Sequence, residues 1–317
     1  MGARPLDQSA ITDDERHAVA RRLLLESFRG ELTPRLRMFL LHYAATMAPL
    51  IASVLLYALH PRLWTLLLAA VVAGFVANGL GVLMHEGSHY FFHPDKRTND
   101  LLANVLVCLP IFNTVAGYRG PHLDHHRHSG TALDPYQQLY SGYRGGSDVA
   151  LRLLGDLLLI SSINRFVGRY LGRTDKTVAP LDLASLGGLV LVQGALFALY
   201  TVATGWYLSY VVLWLLPLMT IPQVVNRIRT LAEHAPGRAR GGANRGTDPT
   251  WVEYVLVAPY GYAFHFEHHL TPSIPYYSLA SAHRVLHRSG FRFGPEELTG
   301  GYLRAFMRAV RSAGCRR

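Results

Sequence analysis

The chain has 317 residues, half of them hydrophobic and only 16% charged, with a formal net charge of +10. Soluble domains carry about a quarter charged residues, so depleted charge and long apolar runs point to an integral membrane protein. The basic balance suits an anionic membrane surface or an acidic protein partner; no nucleic-acid module accompanies it.

Taken in order, residues 1–37 are polar, with an apolar side from Leu23, Leu24, Leu25 and Phe28 that is expected to lie along the membrane interface. The mixed Arg, Asp and Glu of this stretch do not read as a cleaved signal peptide. Residues 39–59 are long and apolar enough to cross a bilayer, His60-Pro61-Arg62 turns the chain, and residues 63–84 cross back. Residues 101–115 are apolar but short and interrupted by Pro110, which predicts a re-entrant or half-buried segment. A polar stretch follows, and residues 151–171 mix apolar side chains with Arg152, Asp156, Arg165 and Arg169, the pattern of an interfacial helix. Residues 181–204 and 206–225 form a second pair of crossings that turns at Gly205. From Asn226 onward the chain is polar; residues 237–247 are expected to be mobile, and a last helix near 300–312 is basic. Cys108 and Cys315 lie far apart and form neither a disulfide framework nor a metal-type spacing.

Arg62 is the only Lys or Arg that this layout places on the far side, so the positive-inside rule puts both termini in the cytoplasm. The expected fold is all-α and integral to the membrane. It has four transmembrane helices in two hairpins, re-entrant and interfacial helices, and a cytoplasmic helical cap. One domain would span 1–317: a cytoplasmic segment 1–37, a membrane region 38–225 with a cytoplasmic insertion 117–178, and the cap 226–317.

Histidines carry the chemical signal. His122-Leu123-Asp124-His125-His126 and His265-Phe266-Glu267-His268-His269 repeat one spacing, and His85-Glu86-Gly87-Ser88-His89 puts two imidazoles at i and i+4. On a helix His125 and His126 diverge by roughly 100°, so one box can address two neighbouring metal ions, with His122 between them. Eight imidazoles exceed what one ion binds, which makes two metals the economical reading. Nitrogen-rich ligation suits Fe, Zn, Cu or Ni alike. His234, just past the fourth crossing, would reach the same level. Glu86, Asp124, Glu233 and Glu267 each adjoin a candidate ligand, where they either orient imidazole N–H groups or are ordinary helix-surface charges. His128 would ligate, relay protons or be solvated.

These three boxes resemble those of the membrane fatty acid desaturase superfamily. Asp134-Pro135 after the second box, Leu270-Thr271-Pro272-Ser273-Ile274-Pro275-Tyr276-Tyr277 after the third, and Arg229 to His234 before it look like the family's flanking segments. The resemblance implies that His85, His89, His122, His125, His126, His234, His265, His268 and His269 ligate a di-iron centre, with O₂ as co-substrate. The implied reaction is desaturation of a lipid-linked acyl chain. A hydroxylase or ketolase acting on a carotenoid, sphingolipid or other apolar substrate is the alternative, and a non-redox membrane zinc protein is the reading from a different class. The third box opens with His rather than Gln, unlike front-end desaturases. The first box has three intervening residues, as in acyl-lipid desaturases. Electrons would come from an external ferredoxin-like or cytochrome b5-like donor, since no Cys cluster, flavin fingerprint or fused haem module is present. The basic cytoplasmic face suits an acidic donor, although such charge also serves as a positive-inside anchor.

Overall fold

The fold is described from a computed structural model over residues 12–170, 182–234, 244–294 and 297–314. Helix α1 (Asp13–Ser27) opens on a capping box in which the Thr12 hydroxyl accepts from Glu15 N–H at 3.3 Å and the Glu15 carboxylate accepts from Thr12 N–H at 2.8 Å. Its apolar side, with Ala20 and Leu24, is buried under the later part of the chain. Arg16 ties it down through Glu297 and the Arg292 carbonyl.

Helices α2 (Leu36–Leu59) and α3 (Leu63–Ser88) are the first two apolar spans. Their turn is stapled by Thr65, whose hydroxyl donates to His60 O at 2.6 Å and accepts from Arg62 N–H at 3.1 Å. α3 is the axis of the molecule. Glycines let its neighbours approach: Gly79 faces Thr46 of α2, and a Cβ at Gly74 would overlap Ile221 on the fourth span. Its half nearest the histidines is buried almost throughout, whereas Leu63, Trp64, Leu67 and Val71 at the other end point outward. Leu55 and Leu59 of α2 extend that apolar belt, a surface that suits lipid.

After α4 (Lys96–Leu102) the helix loosens into a π-helical stretch, Ala103–Cys108, and a 3₁₀ turn, Leu109–Ile111, and then bends by 92° into α5 (Val115–His128). Pro110 and a left-handed Phe112 (φ 59°) end the first limb. Carbonyls freed at this break are taken up by side chains: Gln193 Nε2 donates to Leu109 O at 2.6 Å, and Trp214 Nε1 donates to Pro110 O at 3.2 Å. Such satisfaction lets irregular backbone sit at membrane depth. After the single turn α6 (Gln137–Tyr140), the predicted interfacial helix is two: α7 (Gly146–Leu157) and α8 (Ile160–Tyr170), broken at a left-handed Leu159 (φ 66°).

The second pair comprises α9 (Leu183–Thr204), capped by a left-handed Gly205, and α10 (Leu216–His234), entered through a π-helical stretch Val211–Leu215. The fourth helix therefore begins later than Trp206 and runs well past Val225. Charge at Arg227 and Arg229 does not end it, because Asp156 and Tyr143 receive Arg227 and the Arg229 guanidinium lies 4.2 Å over the Tyr262 ring. Residues 237–243 of the expected mobile loop lie outside the described residues. The loop's end is instead the strand β1 (Gly246–Asp248), paired in parallel with β2 (Leu298–Gly300). Between the strands come α11 (Trp251–Leu256), a 3₁₀ turn Pro259–Gly261, α12 (His265–Leu270) and α13 (Tyr276–Arg288), and α14 (Tyr302–Gly314) closes the chain. Gly261 needs its left-handed backbone (φ 88°), and a Cβ there would stand 2.7 Å from Tyr276 O.

Candidate metal centre

Four elements bring the histidines together. The end of α3 carries His85 and His89, α5 carries His122, His125 and His126, α10 ends on His234, and α12 carries His265, His268 and His269. All nine fall into two clusters, each with one nitrogen per ring lying within 4.8 Å of the others: His85, His89, His122, His126 and His268 in one, and His125, His234, His265 and His269 in the other. The two long boxes divide in opposite senses. The second sends its i, i+4 pair, His122 and His126, to the first cluster and His125 to the other; the third sends His265 and His269 to the second cluster and His268 to the first. His122 thus belongs wholly to one cluster, not between the two. The 100° step between adjacent helical residues is what splits each box.

The nitrogens face one another. His122 Nε2 lies 2.9 Å from His89 Nε2 and 3.0 Å from His126 Nε2, and His126 Nε2 lies 3.1 Å from His268 Nε2. In the other cluster His265 Nε2 and His234 Nε2 are 2.9 Å apart. A neutral imidazole nitrogen has either one proton or one in-plane lone pair, so such a chain of nitrogens is not satisfied by its own hydrogen bonds. Nitrogens bound at right angles on a metal ion at about 2.1 Å stand about 3.0 Å apart, which fits these spacings. His85 Nε2 and His269 Nε2 are buried without a hydrogen-bond partner among the described residues. The donor set fits a pair of first-row transition-metal ions.

Buried carboxylates fix the rings from behind. His85 Nδ1–H donates to Glu86 Oε1 at 2.6 Å, which leaves the lone pair on Nε2 facing the cluster. His125 Nδ1–H lies 2.9 Å from both oxygens of Asp134, and Asp134 also accepts from Tyr140 O–H at 2.6 Å and Tyr136 N–H at 2.8 Å. Glu233 accepts from Tyr302 O–H at 2.8 Å, and its other oxygen lies 4.0 Å from His265 Nδ1. Glu267 accepts from His283 Nδ1–H at 2.5 Å rather than from a cluster ring. Asp124 is on the outer face of α5 and pairs with exposed Arg127 at 2.8 Å. His128 is part-buried and belongs to neither cluster.

Asp134 is the residue that sequence reasoning passed over. It was visible only as part of the Asp-Pro pair after the second box, and the turn from His128 to Asp134 is what brings it back to His125. His283 has no partner at ligand spacing in the sequence, yet it donates to Glu267.

Burial first, and then neighbouring imidazoles, hold His265, His268 and His269 well below the ordinary histidine range. Burial and then the Arg119 guanidinium push His89 down to about 4. Neutral rings are the form that a metal ion takes up. Tyr118 stacks on His122 at 5.1 Å, Tyr136 on His125 at 4.9 Å, and Tyr262 meets His85 edge-on at 4.9 Å, so tyrosine rings wall this side of the clusters.

The sequence matches the family model described as fatty acid desaturase over residues 61–295. It is 23% identical over 261 residues to the dihydrorhizobitoxine desaturase of Bradyrhizobium elkanii, covering 77% of this chain and 74% of that protein. It is 25% identical over 210 residues to a beta-carotene ketolase of Paracoccus sp. (strain N81106 / MBIC 01143), covering 64% of this chain and 73% of that protein. A second beta-carotene ketolase, from Paracoccus sp. (strain PC1), is 24% identical over 231 residues, covering 70% and 80% of the two chains. The matched span takes in every helix that delivers a histidine to the two clusters, and the chain belongs to the fatty acid desaturase family.

Proposed function

We propose that this protein is an O₂-dependent, di-iron membrane oxidoreductase that introduces a double bond into a lipid-linked acyl chain. The observation that carries the reading is the convergence of nine imidazoles, in groups of five and four, from the ends of two of the four apolar spans, α3 and α10, and from α5 and α12. His85, His89, His122, His126 and His268 would hold one iron, and His125, His234, His265 and His269 the other. When bound, the iron pair supplies O₂ activation and the removal of hydrogen from an unactivated C–H bond.

The chain's own groups do the rest. Glu86 and Asp134 hold the tautomer and direction of His85 and His125. Neutral imidazoles leave the metal charge uncompensated, so buried Asp134, held as a carboxylate against its burial by hydrogen bonds from His125 and Tyr140, supplies negative charge from outside the ligand shell. Apolar spans beneath the site would admit a hydrocarbon tail from the bilayer, and the tyrosine wall would keep water from the reacting carbon. Converting a saturated C–C bond and O₂ into an alkene and two waters requires two electrons and two protons from outside. A ferredoxin-like or cytochrome b5-like donor fits that need, and a basic cytoplasmic face would receive an acidic one. Both termini and the metal centre would lie on that face, with the segment boundaries drawn above from the sequence.

The similarity to two beta-carotene ketolases favours a second reading, oxygen insertion into a carotenoid or other apolar substrate. The deciding experiment reconstitutes purified protein in lipid with a reducing donor and analyses products by mass spectrometry. A product lighter by two hydrogens supports desaturation; one that gains an oxygen atom supports hydroxylation, and one that gains an oxygen atom and loses two hydrogens supports the ketolase reading. Stoichiometric zinc with no O₂ consumption overturns both.

A further inference from the structure

We propose that α11 and the first turns of α14 are embedded in the bilayer surface on the metal-centre side, so that a C-terminal segment polar in composition re-enters the membrane beside α3. The first observation is an apolar face with no protein against it: Trp251 is 79% exposed, Val255 57% and Leu303 65%. These belong to one unit. Glu253 accepts Leu303 N–H at 3.0 Å with one oxygen and Thr250 N–H at 2.9 Å with the other, which ties the start of α14 to α11.

The second observation fixes depth. Asn78, buried within the span α3, donates its amide to Leu256 O at 2.9 Å and to Val257 O at 3.2 Å, the carbonyls at the end of α11. Asn78 precedes His85 by seven residues, roughly 10 Å along a helix toward the interior of the span. A helix end in water leaves its last carbonyls to solvent. Here a transmembrane helix supplies the donors, the arrangement that backbone needs where water is absent.

The third observation concerns charge. α14 turns Tyr302, Ala305 and Phe306 inward, while Leu303 and Met307 face out beside exposed Arg304 and Arg311. Apolar side chains bordered by arginines, with a tryptophan at the edge, suit the acyl–headgroup boundary of a leaflet with anionic lipid. The anchorage of α11 to a membrane span at Asn78 and the arginines that border the apolar side chains select lipid over a protein partner. The proposal rests on helix placement and is independent of the metal assignment.

The test uses spin labels at Trp251→Cys and Val255→Cys in a Cys315→Ser background, with Arg284→Cys, on the outer face of α13, as the aqueous reference; Cys108 is buried. Each full-length variant, checked for wild-type elution, is placed in nanodiscs of phosphatidylcholine and phosphatidylglycerol. Collision with O₂ and with a water-soluble nickel chelate is then measured by power saturation. The expected result is an O₂-to-nickel ratio several-fold higher at 251 and 255 than at 284. Ratios equal to that at 284 place the face in water and overturn the proposal. Low collision with both reagents, the sign of a protein covering, also overturns it.

Discussion

His125 is held by a carboxylate that accepts from two other groups as well, so Asp134 is fixed before any metal arrives. Asp134→Asn keeps the size but replaces one acceptor oxygen with a donor NH₂. On the proposed assignment, affinity for the second metal ion falls by about 10- to 100-fold, read as metal per chain after dialysis against a weak chelator. Unchanged metal content removes Asp134 from that role. His268→Ala is expected to abolish turnover and lower bound metal, whereas His128→Ala, outside both clusters, retains most of each. The histidine spacings were readable in the sequence, and helical periodicity accounts for His265 grouping with His269; His122, expected between two ions, groups instead with its i+4 partner His126. Adjacency held for Glu86, which accepts from His85, but misled for Asp124. Asp124 is next to His125 in sequence but on the outer face of α5, while Asp134 is nine residues away and reaches His125 around a turn.

Helix crossings depend on residues too small to draw attention in a hydropathy reading. Gly74→Val forces a side chain into Ile221 at the contact of α3 with α10, and overpacking of this kind costs about 1–3 kcal/mol. The expected outcome is a lower melting temperature in detergent, together with weaker metal retention because both helices carry histidines. At α1 the pin is electrostatic. Burial opposes ionisation of Glu297, but hydrogen bonds from His17 and Arg16 pull its carboxyl down to about 2 from the usual 4.5. A carboxyl lowered on folding stabilises above its unfolded value and loses that contribution as pH falls through the folded one. Wild-type protein should therefore lose stability between about pH 4.5 and pH 2 more steeply than Glu297→Gln, measured by thermal melts across that range. A parallel pH dependence in the two proteins contradicts the pin. The four apolar spans were legible because length and hydropathy suffice for them. The continuation of α10 to His234 was not, because Arg227 and Arg229 look like an end until Asp156 and Tyr262 are seen to receive them.

For the whole molecule, the spans and the histidines form one device. α3 is both the most buried span and the carrier of the first box, and α10 ends on His234, so the membrane helices set the positions of the rings directly. This explains why a chain of 317 residues brings imidazoles some 180 positions apart into contact without a separate metal-binding domain. Substrate identity was not legible because it depends on the shape of the space beneath the rings rather than on the spacing of ligands. The most direct test of the central claim is a metal count on protein purified from iron-replete cells, by elemental analysis with Mössbauer spectroscopy of an ⁵⁷Fe-grown sample. Two irons per chain in nitrogen-rich coordination is the expected result; one ion per chain, stoichiometric zinc, or no tightly bound metal would contradict it.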